Sequence, residues 1–124
     1  PWELILPKVV EGPSVIKQDG KYYLMYSGNG YTSQDYAIGF AVADSPFGPW
    51  KKYDKNPILH KYKGLVGVGH GAPFIDKEGH WRYVFHAHKS LTEIHPRDAY
   101  IVDMSLKNGV ITLDGNLIRS KVIK

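Results

Sequence analysis

No cysteine occurs anywhere in the sequence, so disulfide frameworks, zinc ribbons and thiol nucleophiles are excluded together, and the redox compartment is left undetermined. No apolar run approaches the length that a bilayer-crossing helix needs, and no membrane is expected as a partner. Pro1-Trp2-Glu3 ahead of the short run Leu4-Ile5-Leu6 does not read as a leader peptide. A block of positive charge is missing too. Lys and Arg number 16 against 12 Asp and Glu, and they are scattered along the chain, so no nucleic acid is expected as a partner. Apolar residues at helical spacing are absent over any long stretch.

What is abundant is turn formers and aromatics: 13 Gly, 8 Pro and 9 Tyr in 124 residues, the composition of short strands joined by turns. Period-2 patterning predicts a strand at Ser14 to Lys17, a tight turn at Gln18-Asp19-Gly20, and a second strand at Lys21 to Ser27. The polar loop "GNGYTSQDY" leads to a third strand, "AIGFAVA". "DSPFGPW" then turns the chain into a fourth, "KKYDKNPIL". The plan recurs. "GAPFIDKEGHWRYVFHAH" echoes "EGPSVIKQDGKYYLMYSGN", with Pro73 falling sixty positions after Pro13, and "DAYIVDMSL" and "GVITLDGNLI" complete a second set of four.

An all-β fold follows, with one domain over residues 1–124 containing blade-like repeats at about 9–60 and 66–124. Four-stranded units with aromatic hairpins are the building blocks of β-propellers, and two of them cannot close a ring that typically takes 4 to 8. The remaining blades of the same propeller, or further copies of this chain, are therefore expected as partners. The opening "PWELILPK" reads like a point inside a longer protein.

In order along the chain, "VVEGPSV", "YYLMYSGNGY", "YAIGFAVADSPFGPW" and "GVGHGAPF" resemble the last two blades or so of family 43 glycoside hydrolases. These are five-bladed propellers that include arabinanases, β-xylosidases and arabinofuranosidases. The resemblance implies that the chain is about two four-stranded antiparallel blades of a five-bladed β-propeller. It also implies inverting hydrolysis of arabinose- or xylose-containing plant polysaccharides or oligosaccharides, and favours an exported, periplasmic or extracellular protein. The "EGP" glutamate of the family is the general acid, which places that role on Glu11. Ser45, Pro46, Gly48, Pro49 and Trp50 match a structural blade turn. His70 matches a channel histidine that sits near or on a bound calcium or other ion, and Arg97 is the candidate for a sugar-touching arginine. Two further carboxylates of the family, one of them the general base, have no counterpart here, so the chain alone is expected to be inactive.

The residues support this independently in part. A glycosidic bond needs a proton on its leaving oxygen and, on the opposite face, a water activated by a second carboxylate. Val9, Val10 and Pro13 give Glu11 apolar surroundings in the sequence. If Glu11 opens the innermost strand of a blade, the return strand brings Ser27, Gly28 and Asn29 to the same end. Ser27, Asn29 and Tyr31 are then candidate sugar contacts in a preformed pocket, while Tyr22, Tyr23 and Tyr26 are read as packing. The second repeat similarly brings His86 and His88 beside His70, whose flanking glycines allow close backbone approach to a ligand.

Two other readings compete. His86, His88 and Glu93 fall in the His-x-His-x4-Glu spacing, which resembles a cupin metal motif suited to iron, manganese or zinc. Two blades could also form a non-catalytic carbohydrate-binding or self-associating module.

Overall fold

The computed structural model describes residues 1–5 and 8–121. The last three residues of the second expected repeat lie outside them. Among these residues, eight strands form two four-stranded antiparallel sheets, each a simple meander. The first contains β1 (Val10–Gln18), β2 (Lys21–Gly28), β3 (Ala37–Ala43) and β4 (Lys51–Lys52). The second contains β5 (Gly69–Ile75), β6 (Trp81–Ala87), β7 (Asp98–Lys107) and β8 (Val110–Arg119). No described helix is long and apolar enough to cross a membrane.

The sheets stack face to face through alternate residues. Tyr23, Met25 and Phe40 of the first meet Tyr83, Phe85, Val102 and Met104 of the second, with Leu59 and Val68 of the connecting segment closing the gap. Full burial of such side chains contributes roughly 1.5–3 kcal/mol each, so this seam is the principal adhesive between the two halves. The opposite face of the first sheet is covered locally by a 3-10 turn at Trp2–Leu4. There the Trp2 indole lies where side chains at Gly28 and Gly39 would otherwise project and stacks on Tyr26 at 5.9 Å.

Two expectations change in detail. β1 starts at Val10 rather than Ser14, because the Gly12-Pro13 pair does not stop the strand but forms a β-bulge within it. Proline is tolerated there because β1 lies at the edge of its sheet. The fourth strand is much shorter than "KKYDKNPIL". Beyond Lys52 the Asn56 side chain replaces the ladder, accepting from the Phe40 N–H (3.1 Å) and donating to the Phe40 carbonyl (2.9 Å). Leu59 then rejoins Ile38 as an isolated bridge.

Each sheet carries a bulge in its first strand, at the same place. In β1, Gly12 and Pro13 stand opposite Tyr26 alone; in β5, His70 and Gly71 stand opposite Phe85 alone. Both bulges begin with a left-handed residue, Gly12 at φ +63° and His70 at φ +49°. Matched through these bulges, Glu11 corresponds to Gly69, and Pro73 corresponds to Val15 instead of Pro13. The sequence echo between the prolines is slipped against the structural repeat.

Three aspartates tie turns together. Asp76 Oδ1 accepts from the backbone of Glu78 (2.9 Å) and His80 (3.0 Å), and its Oδ2 accepts from Arg82. Asp114 accepts from Tyr62 at 2.6 Å, linking β8 to the inter-sheet segment. Asp35 receives His60 and Lys61. The backbone of His80 holds Asp76 below its ordinary value, Tyr62 does so for Asp114, and His60 for Asp35. A depressed carboxyl contributes stability that is present above the unfolded value of 3.8 and is lost as pH falls through the folded value. The thermal midpoint is therefore expected to drop on acidification from about pH 4 toward pH 2, and less steeply in an Asp76→Asn, Asp114→Asn double variant. A midpoint that is flat across that window would contradict these roles.

Candidate active site

The bulges sit at one end of the stacked sheets, and this is where the chemistry-bearing side chains gather. Glu11 is the last paired residue of β1 before its bulge, opposite Ser27. Its Oε1 accepts a 2.7 Å hydrogen bond from the Tyr36 hydroxyl and lies 3.9 Å from His70 Nδ1. The Glu11 side chain is 36% exposed and that of His70 54%, so both reach solvent from the junction of the sheets. Val10 and Pro13 face outward. The polar surroundings of Glu11 therefore come from Tyr36 and His70, across the fold, and not from its neighbours in sequence.

Tyr36, at the entry to β3, is fully buried. Its ring fills a gap left by Gly69, where an added Cβ would come within 2.2 Å of the ring. Gly67 makes equivalent room for the His88 ring, and a Cβ on Gly71 would stand 1.9 Å from the carbonyl of Val84. The glycines of "GVGHGA" thus accommodate protein groups rather than a ligand. Burial pushes the Tyr36 phenol well above its ordinary range and the bond to Glu11 adds to this, with the Ser27 hydroxyl and Arg97 pulling the other way.

Ser27 and Asn29 are both fully buried, which corrects the expectation that they touch sugar. Ser27 Oγ accepts from the His70 backbone N–H at 2.7 Å, bolting the second bulge to the first sheet. Asn29 Oδ1 accepts from the Ile5 N–H, and its amide donates to the carbonyls of Trp2 and Asp35. Their work is beneath the site. Tyr31 and Arg97 remain at its rim. Tyr31 is 41% exposed, and the Arg97 guanidinium lies 4.8 Å from its ring centroid. Arg97 Nη1 is buried and makes no hydrogen bond among the described residues.

The cupin-like trio does not assemble. His86 Nδ1 donates to the His70 carbonyl (3.1 Å), His88 is buried with Nε2 donating to the Tyr31 carbonyl (2.7 Å), and Glu93 faces Lys89. No group of three or more His, Cys, Asp or Glu side chains among the described residues could hold a metal. The same fact bears on calcium at His70: calcium takes six to eight oxygens, and here the chain offers an imidazole nitrogen with one carboxylate nearby. These residues alone do not fit a calcium shell.

Sequence reasoning missed Tyr36. It stands just ahead of a strand, and no local pattern shows that Gly69, in the other sheet, leaves space for its ring. The backbone of His70 was likewise not foreseen. A non-glycine residue at φ +49° costs about 1–2 kcal/mol, so His70→Gly is expected to exceed His70→Ala in unfolding free energy by about 1 kcal/mol. Equal stabilities in urea titrations would remove the claim of strain. For Asn29→Ala, which orphans three backbone groups, a loss of about 2–4 kcal/mol is expected in the same measurement; a loss below 1 kcal/mol would speak against the clamp.

Comparison with known proteins places this geometry. The model of the glycosyl hydrolases family 43 matches residues 1–111. An endo-1,4-beta-xylanase from Bacteroides thetaiotaomicron superposes with a TM-score of 0.95 at 51% identity, covering 100% of this chain and 44% of that protein. A thermostable family-43 glycoside hydrolase gives a TM-score of 0.85 at 41% identity, covering 98% of this chain and 41% of that one. An arabinoxylan arabinofuranohydrolase of Paenibacillus polymyxa is 36% identical over 89 residues, which cover 65% of this chain and 14% of that protein. The chain spans less than half the length of each.

Proposed function

Because the chain belongs to the glycosyl hydrolases family 43, with its two sheets forming part of that family's five-bladed propeller, we propose that it supplies the proton-donating side of a glycosidase active site. Its substrates are xylose- or arabinose-containing polysaccharides or oligosaccharides. The observation that carries the reading is the placement of Glu11: a half-exposed carboxyl at the junction of two blades, held by a buried tyrosine beside His70. The names of related proteins, among them a xylosidase/arabinosidase of Butyrivibrio fibrisolvens, support the substrate class.

Hydrolysis with inversion needs Glu11 to protonate the leaving oxygen while a second carboxylate, about 6.5–9.5 Å away, activates water on the other face of the sugar. The side chains that Glu11 meets through polar atoms are Tyr36 and His70, neither of them a carboxylate. The base then comes from blades outside this chain, and the chain alone is inactive. Arg97, whose guanidinium stacks on the partly exposed Tyr31 ring at the rim, is the candidate for binding sugar hydroxyls. Any ion beside His70 is held mainly by water and by the other blades. A polymeric substrate suits a protein that works outside the cell.

In the completed propeller, Glu11→Gln is expected to lower the rate of reducing-sugar release from xylan or arabinan by roughly 10²–10⁴-fold. The chain by itself is expected to release none. Full activity in the Gln variant would refute the acid role, and activity of the isolated chain would refute the missing base.

A further inference from the structure

We propose that Tyr36 is a positioning residue that decides which oxygen of the Glu11 carboxyl delivers the proton. The inference rests on Glu11 being the acid and adds a function for the tyrosine that holds it. A carboxyl group has two oxygens, and rotation about its last bond exchanges them unless something distinguishes one from the other. Here the Tyr36 hydroxyl donates to Oε1 at 2.7 Å. The phenol cannot swing away, because its ring is fully buried and seated on Gly69, and because its backbone N–H is tied to Ser33. Burial keeps the phenol protonated across the working range, so it is always a donor toward Glu11. His70 Nδ1 also approaches on the Oε1 side. Oε2 is left to carry the acidic proton.

This has a consequence for the chemical step. The proton moves from Oε2 to the glycosidic oxygen as the bond from that oxygen to the anomeric carbon breaks. The bonding electron pair leaves with the oxygen, and water attacking the anomeric carbon from the far face forms the new bond while giving a proton to the second carboxylate, which the other blades contribute. Glu11 becomes a carboxylate in the process. A hydrogen bond to an ionised acceptor is about twice as strong as one between neutral groups, so the contact from Tyr36 strengthens as charge develops and favours the transition state over the ground state.

The test compares substrates that differ in their need for an acid, in the completed propeller. Tyr36→Phe keeps the ring on Gly69 and removes only the hydroxyl. Its kcat on xylo- or arabino-oligosaccharides is expected to fall roughly 10- to 100-fold, with KM little changed, while a 2,4-dinitrophenyl glycoside, whose leaving group departs without protonation, is hydrolysed almost as before. Glu11→Gln should show the same selectivity, more strongly. Equal losses on both substrates in Tyr36→Phe, or no loss, would overturn the role of Tyr36 while a selective Glu11→Gln leaves the acid assignment standing. A Glu11→Gln variant without that selectivity would overturn the acid and the role of Tyr36 with it. Should Tyr36→Phe fail to fold, nuclear magnetic resonance on the wild-type chain decides. A slowly exchanging Tyr36 hydroxyl proton with a cross-peak to the Glu11 side chain supports the contact, and a freely exchanging one refutes it.

Discussion

The two sheets meet closely at the end that bears the chemistry because residue 69 has no side chain. The Tyr36 ring occupies that space, and from there its hydroxyl reaches Glu11 on β1, the edge strand of the sheet whose third strand Tyr36 precedes. The contact joins three separate stretches of chain: the first strand of one blade, the loop into its third strand, and the first strand of the next blade. The bond from the His70 N–H to Ser27 lies alongside and fixes the same junction from the opposite direction. Site and inter-blade interface are therefore one structure, and the geometry of Glu11 is set by how the blades pack.

The paired bulges explain how a repeated unit can yield a non-repeated site. A left-handed residue opposite a single partner tilts the strand and turns side chains toward the blade junction. In the first blade that residue is Gly12, which adopts φ +63° without strain; in the second it is His70, which does not. Strained backbone persists when its surroundings over-determine it, and here they do, through Ser27 on the His70 N–H and His86 on its carbonyl.

The strands and the two-blade plan were legible because alternation of buried residues is local: Tyr23 and Met25, or Tyr83 and Phe85, announce one face at a spacing of two. Glu11 and His70, the candidates that motif order singles out, lie 3.9 Å apart in the structure. Less legible was everything decided between blades. Ser27 and Asn29 look like pocket residues in sequence because they are polar and lie at the correct end; only burial shows that their hydrogen bonds are directed inward. Asn56 ends a strand by imitating one, which no propensity records. The cupin spacing of His86 and His88 failed for a related reason: His86 reaches toward His70, while His88 lies just past the end of β6, buried against the carbonyl of Tyr31.

Trp2 and Asn29 carry a further implication for the boundary of the first blade. The indole seated over Gly28 and Gly39 and the amide that grips the Trp2 carbonyl and the Ile5 N–H make residues 1–5 an integral plug in the first blade. Cutting them away would uncover two glycine-floored hollows and leave the buried Asn29 amide with the Asp35 carbonyl but without Trp2 and Ile5, directly behind the loop that carries Tyr31 and Tyr36. A trimmed version would be loosened where the loop that carries Tyr31 and Tyr36 is rooted, although no residue proposed to touch sugar had been removed.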